Sequence, residues 1–321
     1  MIRIALITAL AAPLTFHPAL AAKIFVSNER DNSVTVLDGK TLDVVKTIKV
    51  GRRPRGIIMA PDYKEVFVCL GDDDSVAVID TAKLEVTRHL DSGPDPELLA
   101  VDPRGEHLYI ANEDDALVTI MDRKSGQSLA QIKVGVEPEG MAVSPDSRLT
   151  VATSETTSMA HFIDNDTLKL VANVLVDTRP REATYAPDGS TVWVSAEVGG
   201  TVSIIDAKTF KTIKTLEFSV PGVSPDLIQP IGIRFSKDGK LAFVALGPAN
   251  RVAVIDAHSY DIQRYILVGQ RPWHLELDPE GSKLYVANGL TNDMTVIDVG
   301  SLTAEKSVPV GRLPWGIAVM P

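Results

Sequence analysis

Residues 138–179 read PEGMAVSPDSRLTVATSETTSMAHFIDNDTLKLVANVLVDTR. Four apolar runs, Met141–Ser144, Leu149–Thr153, Met159–Asp164 and Leu170–Val176, are separated by short polar turns. Most of the runs are continuously apolar rather than alternating, the pattern of strands covered on both faces. The unit recurs along the chain. Asp164 belongs to the series Asp38, Asp80, Asp122, Asp164, Asp206, Asp256 and Asp298, in which every step is 42 residues except one of 50. Pro138 belongs to a second series with the same beat: Pro54, Pro96, Pro138, Pro180, Pro230, Pro272 and Pro314. A strand-rich period in the low forties predicts a radial array with one four-stranded antiparallel blade per repeat. The expected fold is therefore all-β, a single seven-bladed β-propeller.

The ends of the chain predict how the ring closes. Three strands, Lys23–Ser27, Val34–Asp38 and Val44–Val50, open it without the strand that precedes them elsewhere. A lone strand, Gly316–Met320, ends it. Pairing the two ends completes one blade and removes two open sheet edges. Turns such as Pro187-Asp188-Gly189 and Pro279-Glu280-Gly281 connect first to second strands, with glycine supplying positive φ. Each repeated aspartate ends a third strand and is expected to accept a hydrogen bond from the backbone N–H two residues on. Seven such carboxylates, spread around a ring, are structural and cannot share a ligand.

Residues 1–21 have the three parts of a secretory signal: Arg3, the apolar run Ile4–Leu14, and Ala19-Leu20-Ala21 as a small-x-small cleavage site. The expected organisation is a signal peptide at 1–21 and a propeller at 22–321, exported to the periplasm. No apolar stretch is long enough to span a bilayer. Loss of Arg3 takes the net charge from −10 to −11. Such an acidic chain does not suit nucleic acid or anionic membrane. The single cysteine, Cys69, stands within the apolar run Val66–Leu70 and reads as a buried hydrophobe. With one cysteine there is no Cys-x-x-Cys-His site for covalent haem and no cysteine-rich zinc site.

Leu284-Tyr285-Val286-Ala287-Asn288, then Thr295-Val296-Ile297-Asp298 and Val310-Gly311-Arg312-Leu313-Pro314, resemble the YVTN-type repeat of secreted bacterial and archaeal propellers. Length, signal and repeat count look most like the propellers associated with PQQ-dependent alcohol catabolism. That resemblance implies a periplasmic accessory role beside quinoprotein systems, with PQQ associated but not covalently bound. The partner it implies is a small anionic ligand or a protein of a quinoprotein or cytochrome oxidation pathway, and the chain is expected to be a monomer.

Chemistry is best sought where the repeat stops repeating. The residue after each periodic proline enters the inner strand at the channel mouth, and this ring reads Arg55, Glu97, Glu139, Arg181, Ile231, Trp273 and Trp315. One arc is charged and the other apolar and aromatic. Arg53, Arg179, Glu182, Arg271, His274 and Arg312 stand next to it. Tryptophans on adjacent blades suit a planar ligand and arginines suit its carboxylates, so Arg55, Glu97, Glu139, Arg181, Trp273, His274 and Trp315 are the candidate ligand-binding residues. The competing reading is an ordinary rim in which tryptophans cap strands and Arg–Glu pairs neutralise one another.

No catalytic or metal set is nominated. Gly-x-Ser-x-Gly, His-Glu-x-x-His and phosphate-loop patterns are absent. His89, His107, His161 and His258 are expected away from the proline loops, leaving only His274 near the mouth. The acidic second-to-third-strand loops, with Glu29, Asp31, Asp72, Asp73, Asp74, Glu113, Asp114, Asp115, Glu155 and Glu197, read as a solvated rim rather than a Ca²⁺ site. Eight extra residues within Ser219–Gln229 fall on the same face, either as a lid or partner contact or as a tolerated insertion. Two alternatives to an accessory binding protein remain open. One is a lactonase- or esterase-type hydrolase holding a divalent ion on Glu97, Glu139 and Glu182. The other is an interaction scaffold with an acidic rim.

Overall fold

The computed structural model describes residues 22–321, so the expected signal peptide lies outside the described residues. Seven four-stranded antiparallel sheets form the blades. Their inner strands are Pro314–Met320 in blade 1, then Pro54–Met59, Pro96–Val101, Pro138–Val143, Pro180–Tyr185, Ile233–Phe235 and Pro272–Leu277 in blades 2 to 7. Each inner strand packs on the next, and that of blade 7 returns to blade 1. Blade 1 closes across the termini as expected. Its order is Pro314–Met320, Lys23–Asn28, Ser33–Asp38, Val44–Lys49, with Lys23 opposite Met320 and Phe25 opposite Ala318. No helix among the described residues is long and apolar enough to cross a membrane.

Second and third strands are buried almost throughout, which explains their unbroken apolar runs, whereas outer strands such as Val44–Lys49 are largely exposed. The core lies between neighbouring blades. Phe25, Val34 and Val36 of blade 1, for example, pack on Val66, Val68 and Ala77 of blade 2. Cys69 is fully buried in the next such cluster, between blades 2 and 3.

The repeated aspartates close turns, as expected, but they reach one residue further. Asp38 Oδ1 accepts from the N–H of Lys40 at 2.8 Å and of Thr41 at 2.9 Å. In Asp122, Asp164 and Asp298 the backbone donor is three residues on.

The periodic prolines position the mouth. Directly after Pro54, Pro96, Pro138, Pro180 and Pro272 the pairing register shifts by one residue, so that Pro54 faces Leu70 while Ile57 faces Val68. A bulge of this kind releases two residues from the ladder and re-aims their side chains. The repeat thus directs the two residues after each of these prolines toward the channel.

The insertion is neither a free lid nor a loose loop. Val220 and Ile228 are buried, with Phe218, in a cluster between blades 5 and 6, and Ser219 N–H donates to Tyr265 Oη at 3.1 Å. It follows the outer strand of blade 5 and precedes a shortened three-residue inner strand in blade 6.

Candidate functional site

The bulge residues and the second-to-third-strand loops meet on one face of the ring. All seven nominated residues gather around the channel there, but most are covered. Glu97, Glu139, Arg181, His274 and Trp315 are each no more than 5 % exposed, and Trp273 is half-buried.

Two sectors differ in charge. In blades 1 to 3, Arg55 Nη1 donates to both Glu97 oxygens at 2.8 and 2.7 Å, and its Nε lies 3.4 Å from Glu29 Oε2. Arg53 donates to Glu97 and Asp95 and lies 3.8 Å from Glu113. Four carboxyl groups here face two guanidiniums. Burial, with Glu97 and Asp95 alongside, pushes the Glu113 carboxyl up to about 8. For Glu97, burial opposes ionisation, but Arg55 and Arg53 outweigh it and hold the carboxyl below its usual range.

In blades 4 to 7 guanidiniums and carboxyls are equal in number. Arg181 pairs with Glu155 and lies 3.0 Å from Glu139, while Arg179 Nε lies 2.9 Å from Glu155 and 3.2 Å from Glu197. Arg271 donates to Glu197 Oε1 at 2.6 Å and to Gln229 Oε1 at 2.7 Å. Burial drives the Glu139 carboxyl well above its ordinary range, favouring its neutral form. Three guanidiniums, Arg179, Arg181 and Arg271, thus meet three carboxyls, Glu139, Glu155 and Glu197, and burial raises Glu155 above its usual range as well. Beside them Trp273 stacks toward Trp315 with ring centres 6.3 Å apart. Arg271 and Arg181 stand over the Trp273 ring at 4.5 and 5.6 Å. Trp273 and Arg271 also line a surface hollow of about 390 Å³ with Pro248, Leu290 and Leu313.

Some expectations change. The Arg–Glu neutralisation weighed from sequence is present, since Arg55 and Arg181 are already bonded to protein carboxylates. Glu155 and Glu197 are buried ion-pair partners, not solvated rim residues. Both, with Glu29 and Glu113, directly follow a second strand, and that shared repeat position was the available signal. His89 and His161 are not remote from the proline loops. His89 Nε2 lies 3.2 Å from Val50 O, and His161 Nε2 accepts from Gly135 N–H at 2.9 Å.

Glu97, Glu139 and Glu182 do not assemble as a cation site. Among the described residues the acidic groupings close enough to share an ion are Asp95–Glu97–Glu113 and Asp102–Glu106–His107. In the first, Arg53 bonds both Asp95 and Glu97.

Three family models match parts of the chain: a YNCE-like β-propeller over residues 4–112, the cytochrome D1 haem domain over 61–183, and the seven-bladed lactonase β-propeller over 160–311. No curated protein sequence matches. Solved structures match in fold. A hydrazine synthase chain from Kuenenia stuttgartiensis is 22 % identical with a TM-score of 0.79, the match covering 86 % of this chain and 92 % of that one. A putative 6-phosphogluconolactonase from Bacteroides fragilis is 18 % identical with a TM-score of 0.78, over 97 % and 100 % of the two chains. The dihydro-haem d1 dehydrogenase NirN is 18 % identical with a TM-score of 0.70, over 95 % of this chain and 77 % of that one. At such identities the likeness shows the architecture alone. The chain is a seven-bladed β-propeller, similar in part to each of these propeller families.

Proposed function

We propose that this protein is an exported, non-catalytic accessory propeller that binds a small aromatic acid at the blade 5–7 sector of its mouth. Its setting on this reading is PQQ-dependent alcohol oxidation in the periplasm, and PQQ itself, planar with three carboxyl groups, is the leading ligand. One observation carries the reading: Arg179, Arg181 and Arg271 converge beside the half-buried Trp273, where they share Glu139, Glu155 and Glu197. An aromatic ring has a face to stack on, and a carboxylate has guanidiniums to pair with. Arg179, about half exposed, is the most available of the three.

Tryptophan fluorescence tests this directly, because Trp193 and Trp315 are each 1 % exposed and Trp273 is the third of the chain's three tryptophans. Titration with PQQ or an aromatic acid should quench emission saturably, and Trp273→Ala should abolish the response. Absence of quenching at millimolar ligand, or full quenching in Trp273→Ala, refutes the site. Genes for a quinoprotein dehydrogenase and a c-type cytochrome beside this one would support the pathway.

A further inference from the structure

The insertion ends on Gln229, the residue before the periodic Pro230. The equivalent positions of other blades include Arg53, Asp95, Arg179 and Arg271. Side chains at this position meet between neighbouring blades. Arg53 Nη1 donates to Asp95 Oδ1, 42 residues on, and Arg271 Nη1 donates to Gln229 Oε1 at 2.7 Å, 42 residues back. The two contacts join equivalent positions and differ in charge. The acceptor is a carboxylate in blade 3 and a neutral amide in blade 6.

The insertion holds that amide one way round. Gln229 N–H donates to Leu246 O at 3.3 Å, and its carbonyl lies against Gly247, where a Cβ would come within 2.9 Å of the oxygen. Its Nε2 donates to Asp226 O at 3.1 Å, inside the insertion. With a carbonyl receiving its N–H and a guanidinium meeting its oxygen, the amide cannot be turned over without losing both bonds.

The consequence falls on Arg271. Arg53 has three carboxyls around it, bonding Asp95 and Glu97 and lying 3.8 Å from Glu113. Arg271 pairs with Glu197 alone, and Glu197 also lies 3.2 Å from Arg179 and 3.6 Å from Arg181. Burial opposes the charge of both arginines. At Arg53 the carboxylates, Glu97 foremost, outweigh burial and hold the guanidinium above its ordinary range. At Arg271 burial, with Arg181 and Arg179 alongside, outweighs Glu197 and holds it below. A guanidinium stays charged in a protein, and this one stands 4.5 Å from the centre of the Trp273 ring, in the wall of the surface hollow. An anion that reaches it supplies what Asp95 already gives Arg53.

We infer, on the aromatic-acid reading above, that Gln229 is the specificity-determining residue of the mouth. Its neutral amide fixes Arg271 beside Trp273 and leaves the guanidinium for a ligand's carboxylate, so that an acid is preferred to an uncharged ring of the same shape.

Naphthalene-2-carboxylate and 2-naphthamide, alike in shape and unlike in charge, test this by ligand-detected NMR on the mature protein. The parent protein should prefer the carboxylate. Gln229→Glu gives blade 6 the charge that Asp95 gives blade 3. It should weaken the carboxylate about tenfold or more, the effect of one lost charge-assisted hydrogen bond, while the amide binds as before. Gln229→Leu, uncharged, should keep the preference, which separates charge from packing. Gln229→Asp carries the same charge on the side chain that blade 3 uses, and decides the matter if Gln229→Glu does not fold. A preference unchanged by the acidic variants, lost equally in Gln229→Leu, or absent from the parent protein overturns the inference and leaves the aromatic site standing. Binding of neither probe to the parent protein overturns both.

Discussion

The two sectors of the mouth are built from the same repeat positions and reach different electrostatic outcomes. Around blades 1 to 3, Arg53 and Arg55 are outnumbered by Glu29, Asp95, Glu97 and Glu113, and the mouth is locked by ion pairs centred on the buried Glu97. Around blades 4 to 7, three arginines meet Glu139, Glu155 and Glu197, and Ile231 and Trp273 of blades 6 and 7, with Trp315 of blade 1 beyond them, make the apolar arc. A propeller can therefore divide labour around one axis. The charge-locked sector fixes the blades to one another, and the aromatic sector keeps a partly open surface where an anion is not repelled. The contrast comes mainly from side chains, because the same bulge presents them in every blade but the sixth, where the insertion and a shortened strand replace it.

The largest effect should come from breaking the lock. Glu97 is fully buried and is bonded by both Arg53 and Arg55, so Glu97→Ala removes the carboxylate they share and leaves Arg53 with Asp95 and Arg55 with Glu29. Removing one partner of a buried ion pair costs about 3–5 kcal/mol, and the partners that remain place this variant near the lower end. In a chain of this size that lowers the thermal midpoint on the order of 5–10 °C. Calorimetry on Glu97→Ala should show the drop while quenching of Trp273 persists at temperatures where the variant is folded. An unchanged midpoint would mean that the sector does not hold blades 2 and 3 together.

A smaller effect is expected from pH in the same sector. The folded Glu113 carboxyl sits near 8, above its ordinary value of 4.5, so the folded state keeps a proton that the unfolded chain has released. Stability from this group is complete below about 4.5 and declines as pH rises toward 8. Glu113→Gln cannot ionise and should flatten that decline, matching the parent protein at pH 5 and exceeding its midpoint at pH 8. A variant that loses stability equally at both values would show that Glu113 acts through packing alone.

The difference between the sectors was only partly legible in the sequence. The ring could be read because every blade carries the same proline, aspartate and four apolar runs, so a misread strand in one repeat is corrected by six others. The closing blade could be read because its missing strand reappears at Pro314–Met320. The charged and aromatic arcs were visible because the residue after each proline is free to vary. Which arginine meets which carboxylate was not visible. A repeat says that a position faces the mouth, but Arg53 reaches Glu97 across 44 residues and Arg271 reaches Glu197 across 74, by side-chain geometry the period does not encode. For the same reason Glu155 and Glu197 read as rim residues, since an acidic loop looks alike whether solvent or guanidinium covers it. A cavity within the channel was not legible either, because its apolar wall is also strand core.

The finest test concerns Arg179. Its side chain is half exposed, and its partners Glu155 and Glu197 keep Arg181 and Arg271 when it is removed, so Arg179→Ala leaves the fold intact. What it removes is the most exposed of the three positive charges. An exposed charge is worth about 0.2–1 kcal/mol, so affinity for an aromatic acid should fall by roughly two- to fivefold. The loss should shrink as salt rises, because interactions of a solvent-facing charge are screened over about 8 Å at physiological ionic strength. Arg179→Lys, which keeps the charge, should recover most of the affinity at low salt, whereas Trp273→Ala should lose binding at any salt. If Arg179→Ala binds as tightly as the parent protein in dilute buffer, the arginine cluster is a structural counterweight to buried glutamates, and the two sectors differ in shape rather than in what they attract.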